Sequence, residues 1–139
     1  MKKFNLYTKT KHQRRKRIEM VINESFNWCI NKWGVKQHKY DLFLDVCYKE
    51  HMISGLENRA EYCYKYNEIT VYPSEHNNIR ELIDSVIHEF THQRQDMSKY
   101  FETLNKSGYN DHPLEIEANK IAKKYRKECW YSIKKSVNL

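Results

Sequence analysis

The stretch Asn77-Asn78-Ile79-Arg80-Glu81-Leu82-Ile83-Asp84-Ser85-Val86-Ile87-His88-Glu89-Phe90-Thr91-His92 decides how this chain folds. Asn78 suits a helix N-cap, and Glu81, three residues on, can reach back to an unpaired backbone N–H. Ile79, Leu82, Ile83, Val86, Ile87 and Phe90 then recur at three- and four-residue steps, an apolar stripe over three turns. His88 and His92 fall one turn apart beside that stripe, with Glu89 next to the first. Two imidazoles so placed can hold a zinc ion through neutral nitrogens and leave the glutamate free as a general base. The chain's His and Glu frequencies make one accidental match roughly a 3% event, so the flanking sequence must supply the context that the motif needs.

Toward the N-terminus, Pro73 closes a strand because it cannot donate to a ladder. Residues 62–66 and 69–72 flank Asn67-Glu68 and predict a hairpin, although without the favoured Asn-Gly turn. The short aromatic and aliphatic run at residues 40–48 predicts a further strand, joined to the hairpin by a loop around Ser54-Gly55. The five tyrosines from Tyr48 to Tyr72 fit half-buried sheet positions better than a base-stacking platform. Residues 14–33 carry Ile18, Val21, Ile22, Phe26, Cys29, Ile30 and Trp33 at helical spacing, with Gly34 as the stop. Residues 1–13 are polar and basic, a loosely ordered arm.

Toward the C-terminus, residues 97–112 are polar and predict a connecting loop, long enough to suggest a cleft wall. Pro113 suits the first turn of a last helix, which Leu114, Ala118, Ile121, Ala122, Tyr125, Cys129, Trp130 and Ile133 continue. The expected fold class is α+β: N-terminal helix, small three-stranded sheet, motif helix, then a C-terminal ligand helix. Residues 14–139 form one domain, in keeping with a length of 139 residues and only three glycines and two prolines.

The net charge of +7 is unevenly spread. Residues 1–17 hold eight basic residues and no acid, and residues 118–139 hold seven and one, whereas the segment between is acidic. The basic arm at residues 1–17 could therefore contact nucleic acid or an acidic partner, although a solvated tail plus a solvated helix face is the simpler account. The four cysteines form no C-x-x-C pair and suit buried thiols in a reducing compartment. No segment has the apolar length of a membrane span and the N-terminus lacks the core of a secretory signal, so a cytoplasmic location is expected.

A catalytic zinc needs a third protein ligand and an open position. The H-E-x-x-H-x-x-G-x-x-H pattern fails, because Gln95 and Ser98 stand where the glycine and third histidine would be. Downstream, His112-Pro113-Leu114-Glu115-Ile116-Glu117-Ala118-Asn119 opens the last helix. Glu115 lies beside its apolar stripe, with Asn119 one turn on to orient a ligating carboxylate. Glu117 points nearly the opposite way, so only one of the two can face the metal. The small residues Ala118 and Ala122 would let this helix approach the motif helix, which favours Glu115; Glu117 and His112 remain alternatives. Tyr100, Tyr109 and His112 could each polarise a substrate carbonyl, and spacing does not choose among them.

The pairing of His88-Glu89-Phe90-Thr91-His92 with Pro113-Leu114-Glu115-Ile116-Glu117-Ala118-Asn119 resembles the small gluzincin-type zinc metallopeptidases. These include short phage-encoded predicted peptidases and, more distantly, the ImmA/IrrE type, and the resemblance covers about residues 15–130. It implies a zincin-like fold, zinc held by His88, His92 and Glu115, and Glu89 as general base in the hydrolysis of a peptide or protein substrate. It also suggests that an extended substrate adds to the sheet along residues 69–72. The chain departs from the ImmA/IrrE type in having Ile121-Ala122-Lys123-Lys124-Tyr125 where that type continues F-A-x-x-L-L-x-P. The SprT-like proteases, which act on DNA-bound proteins, would suit the basic ends, but their cysteine-based zinc module has no counterpart here. The rival expectation is a non-catalytic module, zinc-holding or metal-free, whose basic termini contact nucleic acid.

Overall fold

A computed structural model describes residues 10–48 and 58–137. Most of the expected arm, residues 1–9, and the loop expected around Ser54-Gly55 lie outside the described residues. Helix α1 spans Lys11–Trp33, so it starts inside the segment expected to be an arm. The cause is a capping box: the Thr10 hydroxyl accepts from the Gln13 amide at 3.2 Å, and Gln13 Oε1 accepts from the Thr10 amide at 3.1 Å. At the other end Gly34, at φ 76°, donates its N–H to Ile30 O at 2.8 Å and turns the chain out of the helix.

Strands β1 (Phe43–Val46), β2 (Ala60–Cys63) and β3 (Glu68–Val71) follow. They form a mixed sheet in the order β1-β3-β2, with β1 parallel and β2 antiparallel to β3. The hairpin is shorter than expected, since Tyr64, Lys65, Tyr66 and Asn67 form its turn. Asn67 closes that turn at φ 56°, a left-handed conformation that asparagine tolerates better than most residues. Its buried amide receives the Tyr62 hydroxyl at 2.7 Å and donates to Tyr40 O at 2.8 Å. Of the five sheet tyrosines, Tyr48, Tyr62 and Tyr72 are half-buried while Tyr64 and Tyr66 are exposed. Because β3 is central, both its edges are occupied and residues 69–71 cannot accept an added strand. Among the described residues the open edges belong to β1 and β2.

A 3-10 turn at Pro73–Glu75 leads into α2 (Ile79–Arg94). Asn78 caps it by accepting from the Glu81 amide at 3.0 Å, while Glu81 Oε1 accepts from the Asn77 amide at 2.9 Å. The expected loop at residues 97–112 instead contains α3 (Tyr100–Ser107), followed by α4 (Pro113–Val137). The chain is thus α+β, with four α-helices and a three-stranded sheet among the described residues.

One core joins these elements: Val21, Ile22 and Cys29 of α1, Ile69 and Val71 of β3, the α2 stripe, and Ala122, Cys129 and Ile133 of α4. Phe90 is fully buried and packs between Trp33, with ring centroids 6.3 Å apart, and Phe26, at 6.2 Å. Helices α2 and α4 run antiparallel, Asp84 meeting Arg126 at one end and Gln95 meeting Leu114 at the other. Cys29 and Cys129 are buried as expected, Cys47 is half-buried, and Cys63 is exposed on β2. No helix among the described residues is long and apolar enough to cross a membrane.

Candidate metal centre

The antiparallel packing of α2 on α4 brings His88, His92 and Glu115 together. His88 Nε2 lies 2.8 Å and His92 Nε2 3.0 Å from Glu115 Oε1, and the two Nε2 atoms are 3.1 Å apart. Glu89 stands beside this triangle, its Oε1 3.9 Å from His88 Nε2. His88, Glu89 and His92 come from the C-terminal half of α2 and Glu115 from the first turn of α4, and the apolar faces of both helices are locked in the core, so the backbone fixes where each side chain starts.

The donor chemistry of the triangle can be read from its surroundings. Gln95 Nε2 donates to Leu114 O at 3.0 Å and to Glu117 Oε1 at 2.8 Å, which turns its Oε1 toward His92 Nδ1 at 2.7 Å. An amide oxygen only accepts, so Nδ1 of His92 carries the proton and Nε2 of the neutral ring is a bare lone pair. That lone pair faces a carboxylate oxygen and a second imidazole nitrogen. Such a set is satisfied by a shared proton or by a cation between the three atoms. Zinc suits it, because a tetrahedral site with bonds of about 2.0–2.1 Å sets neighbouring ligand atoms roughly 3.3 Å apart.

The other expected candidates separate clearly. Glu117 points away and accepts from Gln95. His112 is fully buried with both ring nitrogens engaged, Nε2 with Tyr100 O at 3.0 Å and Nδ1 with the Leu114 amide at 3.1 Å. It is therefore neither a ligand nor a group that reaches a substrate. Among the described residues no hydrogen bond joins Asn119 to Glu115. The Tyr100 hydroxyl holds Glu115 instead, donating to Oε2 and leaving Oε1 for the imidazoles. Tyr109 lines the cleft over Glu89, about half exposed.

Electrostatics follow from burial. The Glu89 carboxyl, 7% exposed, is pushed up to about 7 by burial, against the opposing pull of His88 and His92. Burial also raises Glu115, but its close contacts with the His88 and His92 rings and the hydrogen bond from Tyr100 outweigh this and hold it well below the usual carboxylate range. Burial disfavours the His92 cation, yet Glu115 and Glu89 carry its pKa above the ordinary value. Tyr109 is pushed up to about 12, by burial first and then by the negative charge of Glu115.

Four supporting residues carry no signal in the linear pattern. Gln95 sits past the helix end, three residues after His92, and nothing in its type marks it. Ser85, one turn before Glu89, donates to His76 Nε2 at 2.7 Å, and His76 Nδ1 donates to Tyr72 O at 2.9 Å. Gln93 ties the last turn of α2 to the segment after α1, exchanging two bonds with the Lys36 backbone at 2.8 and 3.0 Å.

Comparisons of the chain with protein-family models, curated proteins and solved structures find no match.

Proposed function

We propose that this protein is a zinc-dependent metallopeptidase, a zincin-like hydrolase of the gluzincin type. The observation that carries the reading is the triangle of His88 Nε2, His92 Nε2 and Glu115 Oε1, with no edge longer than 3.1 Å, beside the buried carboxylate of Glu89. Bound zinc would supply Lewis acidity, making water a better nucleophile and favouring negative charge on the carbonyl oxygen. Glu89 takes the proton from the attacking water and returns it to the departing amine, a role suited to a buried carboxyl placed beside the metal ligands. Tyr109 overhangs the same cleft and can donate to the carbonyl oxygen, because its phenol stays protonated well above neutral pH. The substrate lies extended along the open edge of β2, where Ala60–Cys63 borders the cleft that holds His88 and Glu89.

The test measures bound zinc and proteolysis together in the wild type and in Glu89→Gln. Retained zinc with cleavage lost supports the proposal; a wild type that takes up no zinc ends it.

A second reading, a module that binds nucleic acid, has one observation in its favour. Trp33 meets Tyr125 and Lys32 meets Glu128, so α1 and α4 run antiparallel and their basic ends, residues 11–17 and Lys134 with Lys135, lie at one end of the pair. Because α1 begins at Lys11, the appropriate test replaces Lys11, Arg14 and Lys16 with Gln rather than deleting the segment. Loss of a salt-dependent affinity for DNA or RNA would support this reading.

A further inference from the structure

The cleft beside Glu89 has two halves of opposite character. Against β2 and α3, Tyr62, Met97, Tyr100 and Phe101 give it an aromatic, apolar wall. On the other side a space of about 440 Å³ opens onto His88 and Glu89 and is bordered by Arg59, Lys123 and Arg126 around Asp84. The charges in this second half do not cancel. Arg59 lies 3.6 Å from Glu81, and Arg126 donates to Asp84 Oδ2 at 3.1 Å. Lys123 has no ion-pair partner among the described residues, and Arg80 adds another positive charge near Asp84. Asp84 holds Arg126 through Oδ2, while its Oδ1 is buried and has no hydrogen-bond partner. A guanidinium carries five N–H groups, and the bond to Asp84 leaves others free for a second carboxylate.

Distance along the helix sets which part of a substrate arrives here. Asp84 precedes Glu89 by five residues on α2, about 7–8 Å at 1.5 Å per residue. An extended chain covers that span in about two residues. Resting on the peptidase reading, we propose that Lys123 and Arg126 form a subsite for a carboxylate carried within about two residues of the scissile bond. That carboxylate is either an Asp or Glu side chain or the substrate's own C-terminus.

Two pairs of fluorescent peptides test this, every peptide carrying an aromatic residue. One pair is C-terminally amidated and differs as Glu against Gln; the other has no acidic side chain and differs as free C-terminus against amide. Cleavage is followed with the zinc-loaded wild type, and binding by anisotropy with zinc-loaded Glu89→Gln. The acidic member of one pair is favoured about tenfold, as a charge-assisted bond predicts. Lys123→Glu and Arg126→Gln, each also placed in the Glu89→Gln background for binding, bring that ratio toward one. The pair that shows the preference identifies the source of the carboxylate. Equal handling within both pairs, or a preference that neither variant moves, overturns the subsite. If no peptide is cleaved, the peptidase reading falls while the binding arm still decides: a preference lost in Lys123→Glu keeps the subsite, and no preference removes it.

Discussion

Gln95 Oε1 lies 2.7 Å from His92 Nδ1, and this contact selects which nitrogen of the ring faces Glu115. The amide cannot turn over, since its NH₂ group is already committed to Leu114 O and Glu117. Gln95→Leu removes the acceptor and frees both the tautomer and the tilt of the ring. Zinc affinity should fall on the order of 10- to 100-fold, as expected for loss of a group that orients a ligand. Competition against a chelator of known affinity measures it, with Gln95→Glu as the variant that restores an acceptor. An affinity in Gln95→Leu equal to wild type would remove this role.

Tyr100 acts on the other side of the same triangle. Its hydroxyl occupies Glu115 Oε2, so Oε1 remains directed at the two imidazoles. Tyr100→Phe keeps the ring stacked on His112, with centroids 4.3 Å apart, and deletes only that donor. We expect zinc affinity to drop about tenfold while the circular dichroism spectrum is unchanged. Loss of helical signal would instead mean that Tyr100 holds α3 in place rather than the carboxylate.

These two residues show which parts of the molecule were legible in the sequence. The helices α1, α2 and α4 bury a face, so their apolar spacing marks them, and Glu115 is found by following the α4 stripe back to its first turn. Helix α3 is only eight residues long and buries none of them fully, so Tyr100, Phe101 and Leu104 make too short an apolar run to stand out from the polar residues around them, and the segment reads as a loop. The central place of β3 follows from its parallel pairing with β1, a non-local contact to which local alternation is blind. Gln95 acts on His92 through a contact across the helix end, oriented by bonds to Leu114 and Glu117, and no pattern in the sequence marks these.

Asn67 should be among the residues least tolerant of change outside the core. It combines φ 56° with bonds to Tyr62 and Tyr40, all at a position 1% exposed. Asn67→Ala strains the backbone and leaves the Tyr40 carbonyl short of a donor, a loss of about 2–4 kcal/mol. Asn67→Gly restores the conformation but not the bonds, so it should recover only part of that loss. Urea denaturation of the three proteins ranks them, and a Gly variant as stable as wild type would show that the side-chain bonds contribute nothing.

His76 introduces a sensitivity to acid that is separate from the metal ligands. It is 5% exposed, and burial lowers its pKa from 6.5 to about 4. Its Nδ1–H is committed to Tyr72 O, and its Nε2 must stay unprotonated to accept from Ser85. The folded chain therefore takes up this proton later than the unfolded chain does. The stability linked to His76 is complete above pH 6.5 and is lost as the pH falls toward 4, by about 2 kcal/mol between pH 7.5 and pH 5. In His76→Gln the amide oxygen can still accept from Ser85 but cannot be protonated in this range. Urea denaturation of metal-stripped wild type and variant at the two pH values isolates the effect. The drop on acidification should be smaller in His76→Gln by that amount, whereas equal drops would mean that His76 already carries its proton in the folded state.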